Sequence, residues 1–389
     1  TFCDQPFDLL TGPLYRAEAL EISEDHWHVL ICLHHIICDG WSSDIILDEL
    51  AGLYNQLSEH NIAKLDEEAV DYVSYVRNSA VEEREPSTTA FWESAFSHSP
   101  EPLQWRSVHQ RPAGRTFKAG RATHSISSEH VAKIQELAQK SHVSLNTVLF
   151  AGYAIWLSRL TQNREIVIGM PVAEQALTGN DRLVGHFTNM LPVRIEVQPE
   201  DTAETVLQQV HKQVQEVMEH GQMSYREILE LCEISAQPDR APLVQATYNL
   251  DRPGNPTPFN DLNTKQHPSA RRYSPFEMAF DLQLVDGICL VQCDYLTALF
   301  SEQQITTWLE YYEELLVQMS DNAAQTCTAI NLFGRDKELQ LLRLGVPGAP
   351  VSIDAEASLI SRFRTAAAQW PDHTAVRFKD QQLTYEELD

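Results

Sequence analysis

Hydrophobic and polar positions along this chain change period at a few sharp places. Residues 13–35 (PLYRAEALEISEDHWHVLICLHH) alternate loosely and are rich in Val, Leu and Ile, which predicts two strands joined by the acidic turn SEDH. After Gly40 the apolar positions Ile46, Leu50, Leu53 and Leu57 recur at helical spacing. Ser42 and Ser43 offer N-cap oxygens there, and Asp44 suits the positive end of the helix.

Further helical periods cover 128–141, 145–160 behind a Ser144 cap, 203–219 and 302–319. IVIGMPV (166–172) and VQATYNL (244–250) predict strands, the first followed by a long polar loop. FEMAFDLQLVDGICLVQCDY (276–295) predicts a hairpin turning at Asp286-Gly287, a pair that suits a two-residue turn. Strands alternating with helices predict a mixed α/β fold. Two stretches lack periodicity. HSPEPLQWRSVHQRPAGR (98–115) carries three prolines, and a lobe boundary is expected there. LGVPGAPVSIDAEA (344–357) is expected to separate the main body from a short tail.

At 389 residues the chain exceeds a typical single domain, so at least two core-bearing units are expected. Its 29 Lys and Arg against 55 Asp and Glu give a formal net charge of −26. That field repels phosphate backbones and argues against a nucleic-acid partner. Seven cysteines (Cys3, Cys32, Cys38, Cys232, Cys289, Cys293 and Cys327) are scattered without a CxxC pair, several in apolar stretches. This fits a reduced, cytoplasmic setting better than a disulfide framework. No signal peptide opens the sequence and no apolar run approaches the roughly 18 residues of a membrane span, so no membrane partner is expected.

The chemistry concentrates in LHHIICDGWSS (33–43), at the predicted strand–loop–helix junction. Neighbouring side chains on a strand point to opposite faces, so His34 and His35 cannot both serve one small site unless the strand ends between them. With no Cys or Glu set to complete a ligand shell, a metal is not expected. Two readings remain. Either both histidines are satisfied core side chains, or one faces the protein while the other handles a proton. A neutral imidazole with a pKa near ~6.5 can take a proton or hold an amine. Asp39 is expected to fix the loop through an ion pair, since a loop carboxylate near a core needs a partner. Gly40 permits close backbone approach and tight entry to the helix. The HHxxxDG spacing between strand and helix favours the second reading.

HHIICDGWS resembles the HHxxxDG motif of condensation domains from nonribosomal peptide synthetases, in the chloramphenicol-acetyltransferase-like superfamily. PFDLLTGPLYRAEAL (6–20) is similar to the segment preceding that motif, and AFWESAF (90–96) to the YW-containing helix. IGMPVAEQ (168–175) with LVGHFTNMLPVR (183–194) resembles the IGxPVAxR…IGxFVNTLxxR signature. DRAPLVQATYNL (239–250) resembles SRxPLFQVxFNL, and AFDLQLVDGICLVQCDY (279–295) the late FDLxL hairpin. The tail, 358–389, resembles the opening of an adenylation domain and ends in its LTYxEL motif at 383–388. There are departures. No RHExLRTxF segment precedes PFDL, and Ala69 and Tyr75 replace the Tyr and Trp of YxDFAxW. QPDRAPL replaces RDxSRxPL, and HGQMSYREI (220–228) replaces the HQxxPFE pattern.

The resemblance implies an α/β fold of two chloramphenicol-acetyltransferase-like lobes in a V-shaped arrangement, the first lobe incomplete, with a tunnel along the seam. It places a partial N-lobe over 1–110, a C-lobe over 111–325, a linker over 326–357 and the start of an adenylation domain over 358–389. It implies an acyltransferase in which the amine of an acceptor aminoacyl-carrier attacks a donor acyl- or peptidyl-carrier thioester to form an amide. The implied partners are upstream (donor) and downstream (acceptor) carrier domains, which bring phosphopantetheine arms, and the adjoining adenylation domain. No cofactor is expected in this region itself. His35 is the implied proton acceptor or amine-orienting group, with Asp39 and with Gly40 supplying a backbone N–H near the reacting groups. His34 and Asn189 are implied supports, Asn189 bracing a segment that crosses between lobes. Arg16 would substitute for the arginine that partners the motif Asp in the family. The alternatives are a non-catalytic docking platform, an epimerisation-type relative and a CoA-dependent acyltransferase. The intact His35 speaks against the first, and the tail against the other two.

Overall fold

The computed structural model describes residues 2, 5–61, 63–65, 72–79, 85–107, 109–173, 175, 182–251, 257–267, 271–333, 359–379 and 381–389. Cys3, Ala69, the expected linker at 344–357 and most of the polar loop after residue 173 lie outside them. Residues 1–334 form one compact unit and 335–389 a second.

The first unit opens with strand β1 (Tyr15–Ser23), paired antiparallel with β2 (His26–Leu33). The long helix α1 (Gly40–His60) follows, then α2 (Tyr72–Ser79) and α3 (Pro86–Ala95). The remainder builds around one sheet. Its strands are β3 (Ala119–Ile126), β4 (Glu165–Ala173), β5 (Thr188–Glu196), β6 (Ala246–Asp251), β7 (Met278–Val285) and β8 (Ile288–Leu296). They run in the order β3-β8-β7-β6-β4-β5, antiparallel except where β6 lies parallel to both β4 and β7. This is a mixed α/β fold, as the alternation of periods predicts. The β7–β8 turn falls at Asp286 (φ 51°) and Gly287 (φ 79°), two consecutive positive values that the Asp-Gly pair supplies at low cost.

Helices α4 (Ser128–Lys140), α5 (Leu145–Thr161), α6 (Ala203–Glu219), α7 (Tyr225–Leu231) and α8 (Glu302–Asp321) complete the unit. Ser144 caps α5 by accepting the Thr147 N–H. α5 is apolar nearly all round and correspondingly buried, so it forms the centre of the core rather than one wall. Two hydrogen bonds tie it to α8 across the core. The Trp156 indole N–H donates to the Trp308 carbonyl at 2.8 Å, and the Tyr312 hydroxyl donates to the Leu149 carbonyl at 2.9 Å.

The stretch expected to be a lobe boundary is packed against the sheet. On α3, Trp92 is fully buried and donates to the His220 carbonyl at 3.1 Å. Leu103 is buried, and the Trp105 indole N–H donates to Glu277 Oε2 at 2.6 Å. Arg111 forks onto both Glu277 oxygens at 2.7 and 2.8 Å. The first part of the expected linker is also core: Cys327 and Ile330 are buried, and the Cys327 N–H donates to the Asp201 carbonyl at 2.8 Å.

The second unit contains α9 (Leu359–Gln369), the antiparallel pair β9 (Thr374–Phe378) and β10 (Gln381–Thr384), and the short α10 (Tyr385–Leu388). Thr384 and Glu387 form a reciprocal capping box at the start of α10. Among the described residues, no single helix is long and apolar enough to cross a membrane.

Candidate active site

Strand β2 ends at Leu33, so the two histidines lie in the turn beyond it and the alternation of a strand no longer binds them. His34 is held by backbone on three sides. Its N–H donates to the Leu14 carbonyl at 2.9 Å, its carbonyl accepts from Ile37 at 3.0 Å, and its Nδ1 accepts the Ile36 N–H at 3.1 Å. An accepting Nδ1 carries no proton, so the neutral ring holds its hydrogen on Nε2. Phe7 packs edge-on against the same ring. His35, one residue on, is exposed. Its ring meets that of His186 edge-on, with centroids 5.0 Å apart and planes 88° apart.

Asp39 is 2% exposed and organises the site. It is the N-cap of α1: its Oδ1 accepts the Ser42 N–H at 2.9 Å. Its Oδ2 accepts the Phe187 N–H at 2.9 Å and the Gln175 amide at 3.2 Å. Burial works to raise the Asp39 carboxyl, but the donors from Ser42, Phe187 and Gln175 outweigh it and hold the group below the ordinary carboxylate range. The segment around 185 is tied to the same helix end. The Asp39 N–H donates to the Gly185 carbonyl at 3.0 Å, and the Ser42 hydroxyl bonds both the carbonyl and the N–H of Gly185 at 2.9 and 3.0 Å. A Cβ at 185 would run into the Tyr72 ring, so glycine is required there for close approach.

Several expectations change at this level. Neither Ser42 nor Ser43 caps α1; Asp39 does, which moves the helix start and leaves Asp44 beyond the first turn. Burial and the nearby Asp251 raise the Asp44 carboxyl. Asp39 is satisfied by neutral donors, and no ion pair to it occurs among the described residues. Arg16 does not partner it. The Arg16 guanidinium binds Gln5 and lies over the Phe7 ring at 4.0 Å from its centroid, bracing the 5–7 segment beneath His34. Gly40 is the first residue of α1, and a Cβ there would meet nothing within 4 Å, so entry to the helix does not demand glycine. Asn189 braces a turn: its amide donates to the Gly221 and Met223 carbonyls at 3.0 and 2.9 Å, and its oxygen accepts the Tyr225 N–H at 3.1 Å. His35, Asp39 and Gly40 thus come together with Ser42, Gln175, Gly185 and His186, four residues to which the motif spacing assigns no part in the chemistry. Gly185 and His186 lie inside LVGHFTNMLPVR, where the resemblance gives neither a role.

The sequence profile of the Condensation domain family matches residues 2–342, and the chain belongs to this family. Among curated proteins it is 27% identical over 393 residues to malpinin synthetase of Mortierella alpina, and 27% identical over 397 residues to malpibaldin synthetase of the same organism. Each alignment covers 98% of this chain but only 5% and 7% of those proteins, so the chain spans a small part of each. A holo four-domain nonribosomal peptide synthetase bound to AMP and glycine has a similar fold, with a TM-score of 0.80 at 20% identity, covering 99% of this chain and 30% of that one.

Proposed function

We propose that this condensation domain forms an amide bond between an aminoacyl acceptor and an acyl or peptidyl donor held as a thioester. The observation that carries this reading is the division of labour between adjacent histidines: His34 is bound to backbone, and His35 stands exposed four residues before the buried Asp39. An α-amine with a pKa near ~8 is mostly protonated at neutral pH and must shed a proton to attack. His35 takes that proton or orients the amine as the C–N bond forms. The C–S bond then breaks, and the proton is delivered to the departing sulfur. General-base assistance of this kind supplies ~10²–10⁴-fold, with positioning adding to it. Asp39 touches no reacting atom in this scheme; it fixes the turn and the 185–188 segment relative to each other.

The donor and acceptor are thioesters on the phosphopantetheine arms of upstream and downstream carrier domains, and the setting is cytoplasmic. Residues 1–110 and 111–325 are the two lobes of the family, and 358–389 opens an adenylation domain. The similarity to synthetases much longer than this chain supports that placement. The test is amide formation between a donor acyl-carrier thioester and an acceptor aminoacyl-carrier thioester, read by mass spectrometry. Wild type is expected to yield product and His35→Ala to fall by about two decades or more. Equal rates would remove His35 from the mechanism.

A further inference from the structure

Residue 186 is pinned on both sides to the cap of α1. Before it, Gly185 is bonded to Ser42 and to the Asp39 N–H; after it, the Phe187 N–H is bonded to Asp39 Oδ2. Tyr72 and Tyr75 of α2 pack edge-on against Phe187 and hold that side as well. The same carboxylate that starts α1 therefore sets the position of the His186 ring, which is exposed and lies against His35. The family pattern IGxFVNT leaves this position open, and here it holds an imidazole. The titratable groups facing it are His35 from the turn before α1 and Asp39 from the cap, with the two tyrosines one residue on.

Building on amide formation at this site, we propose that His186 is a second imidazole of the reacting centre, and that the proton shed by the attacking amine enters a His35–His186 pair in which charge on one ring disfavours charge on the other. That proton leaves on the sulfur released from the donor, so the pair ends each cycle as it began. Two like charges with ring centres 5.0 Å apart repel, so a proton on one ring makes a second on its neighbour less favourable. Partial desolvation first, and then charge on His35, push the His186 imidazole below its ordinary value, with Asp39 acting in the opposite sense. His35 is the first acceptor, as in the amide-forming step above. His186 stays neutral beside it and serves as acceptor when His35 is lost.

The test has two readouts on the whole chain. Ring carbon–proton resonances of labelled histidine are followed by NMR from about pH 5 to 9, the range in which imidazoles titrate. His35→Phe, which keeps an aromatic ring but removes the charge, is expected to raise the His186 midpoint by roughly half a unit, the repulsion expected at this distance in a water-like medium. Amide formation is measured with acetyl- and alanyl-N-acetylcysteamine thioesters. His35→Ala is expected to retain a residual rate, and His35→Ala/His186→Phe to fall about tenfold or more below it. An unmoved His186 midpoint would overturn the pair, and so would a double variant equal to His35→Ala. A raised midpoint with no amide from wild type would sink the amide-forming reading while leaving the coupled pair standing.

Discussion

Asp39 Oδ2 and the backbone N–H of Phe187 are 2.9 Å apart across 148 positions of sequence, and this bond joins the start of α1 to the approach to β5. Replacing Asp39 by Ala removes an N-cap and leaves buried donors unpaired. The expected loss is about 2–4 kcal/mol, read by urea unfolding. Asp39→Asn keeps a capping oxygen and is expected to lose less. Because the folded carboxyl lies below its unfolded value, its contribution is present above the unfolded value and lost as pH falls through the folded one. The stability gap between wild type and Asp39→Asn should therefore close in acid.

Gly40→Ala separates fold from chemistry. The added methyl meets nothing within 4 Å, so the melting temperature is expected to hold or rise slightly, as Ala favours helix over Gly by up to about 1 kcal/mol. The amide-forming rate is expected to fall, because the methyl projects into the open face at the N-terminus of α1. An unchanged rate would show that substrates do not approach the backbone at this residue.

The Arg111–Glu277 fork is a partly buried ion pair, with the Glu277 side chain 3% and the Arg111 side chain 21% exposed. Arg111→Ala leaves that carboxylate without its guanidinium and is expected to cost about 3–5 kcal/mol in chemical unfolding. Arg111→Lys should recover only part of the loss, since an ammonium cannot fork onto both oxygens.

Glu313 on α8 joins two other elements, accepting from His124 on β3 at 2.5 Å and from His130 on α4 at 2.7 Å. Burial acts to raise its carboxyl, but the two histidines outweigh this and hold it below the ordinary value. The contribution is therefore present above the unfolded value of about 4.3 and lost as pH falls through the folded one. Thermal melts of wild type and Glu313→Gln should differ most near neutral pH and converge in acid, once the pH has fallen below the folded value. A gap that persists there would mean that the carboxylate charge contributes nothing.

Elements with a strong local signal are legible in the sequence. The β7–β8 hairpin follows from Asp286-Gly287 between alternating runs, and α5 from the Ser144 cap and a long apolar stretch. The edge strands β3 and β5 carry no such signal. AGRATHSI lacks a β-branched run, and β5 contains Pro192, which an edge strand tolerates because one side of its ladder is unpaired. At the site, His35 and Asp39 are legible from spacing, but the partners of Asp39 are not. Backbone N–H groups and a glutamine amide leave no charge pattern to read, so the expected arginine gives way to neutral donors. His186 escapes for the same kind of reason: its position beside His35 exists only after residues 39 and 187 have met.

That dependence constrains how such a domain can be recombined. A chimera that takes residues before about 110 from one synthetase and the remainder from another separates position 39 from positions 175 and 185–187. Its two halves would carry a carboxylate and a set of amides selected in different proteins. The expected defect is a misplaced turn around His35 in a chain that otherwise folds, so crossover points for exchanging whole activities belong outside the interval from Leu14 to Thr188.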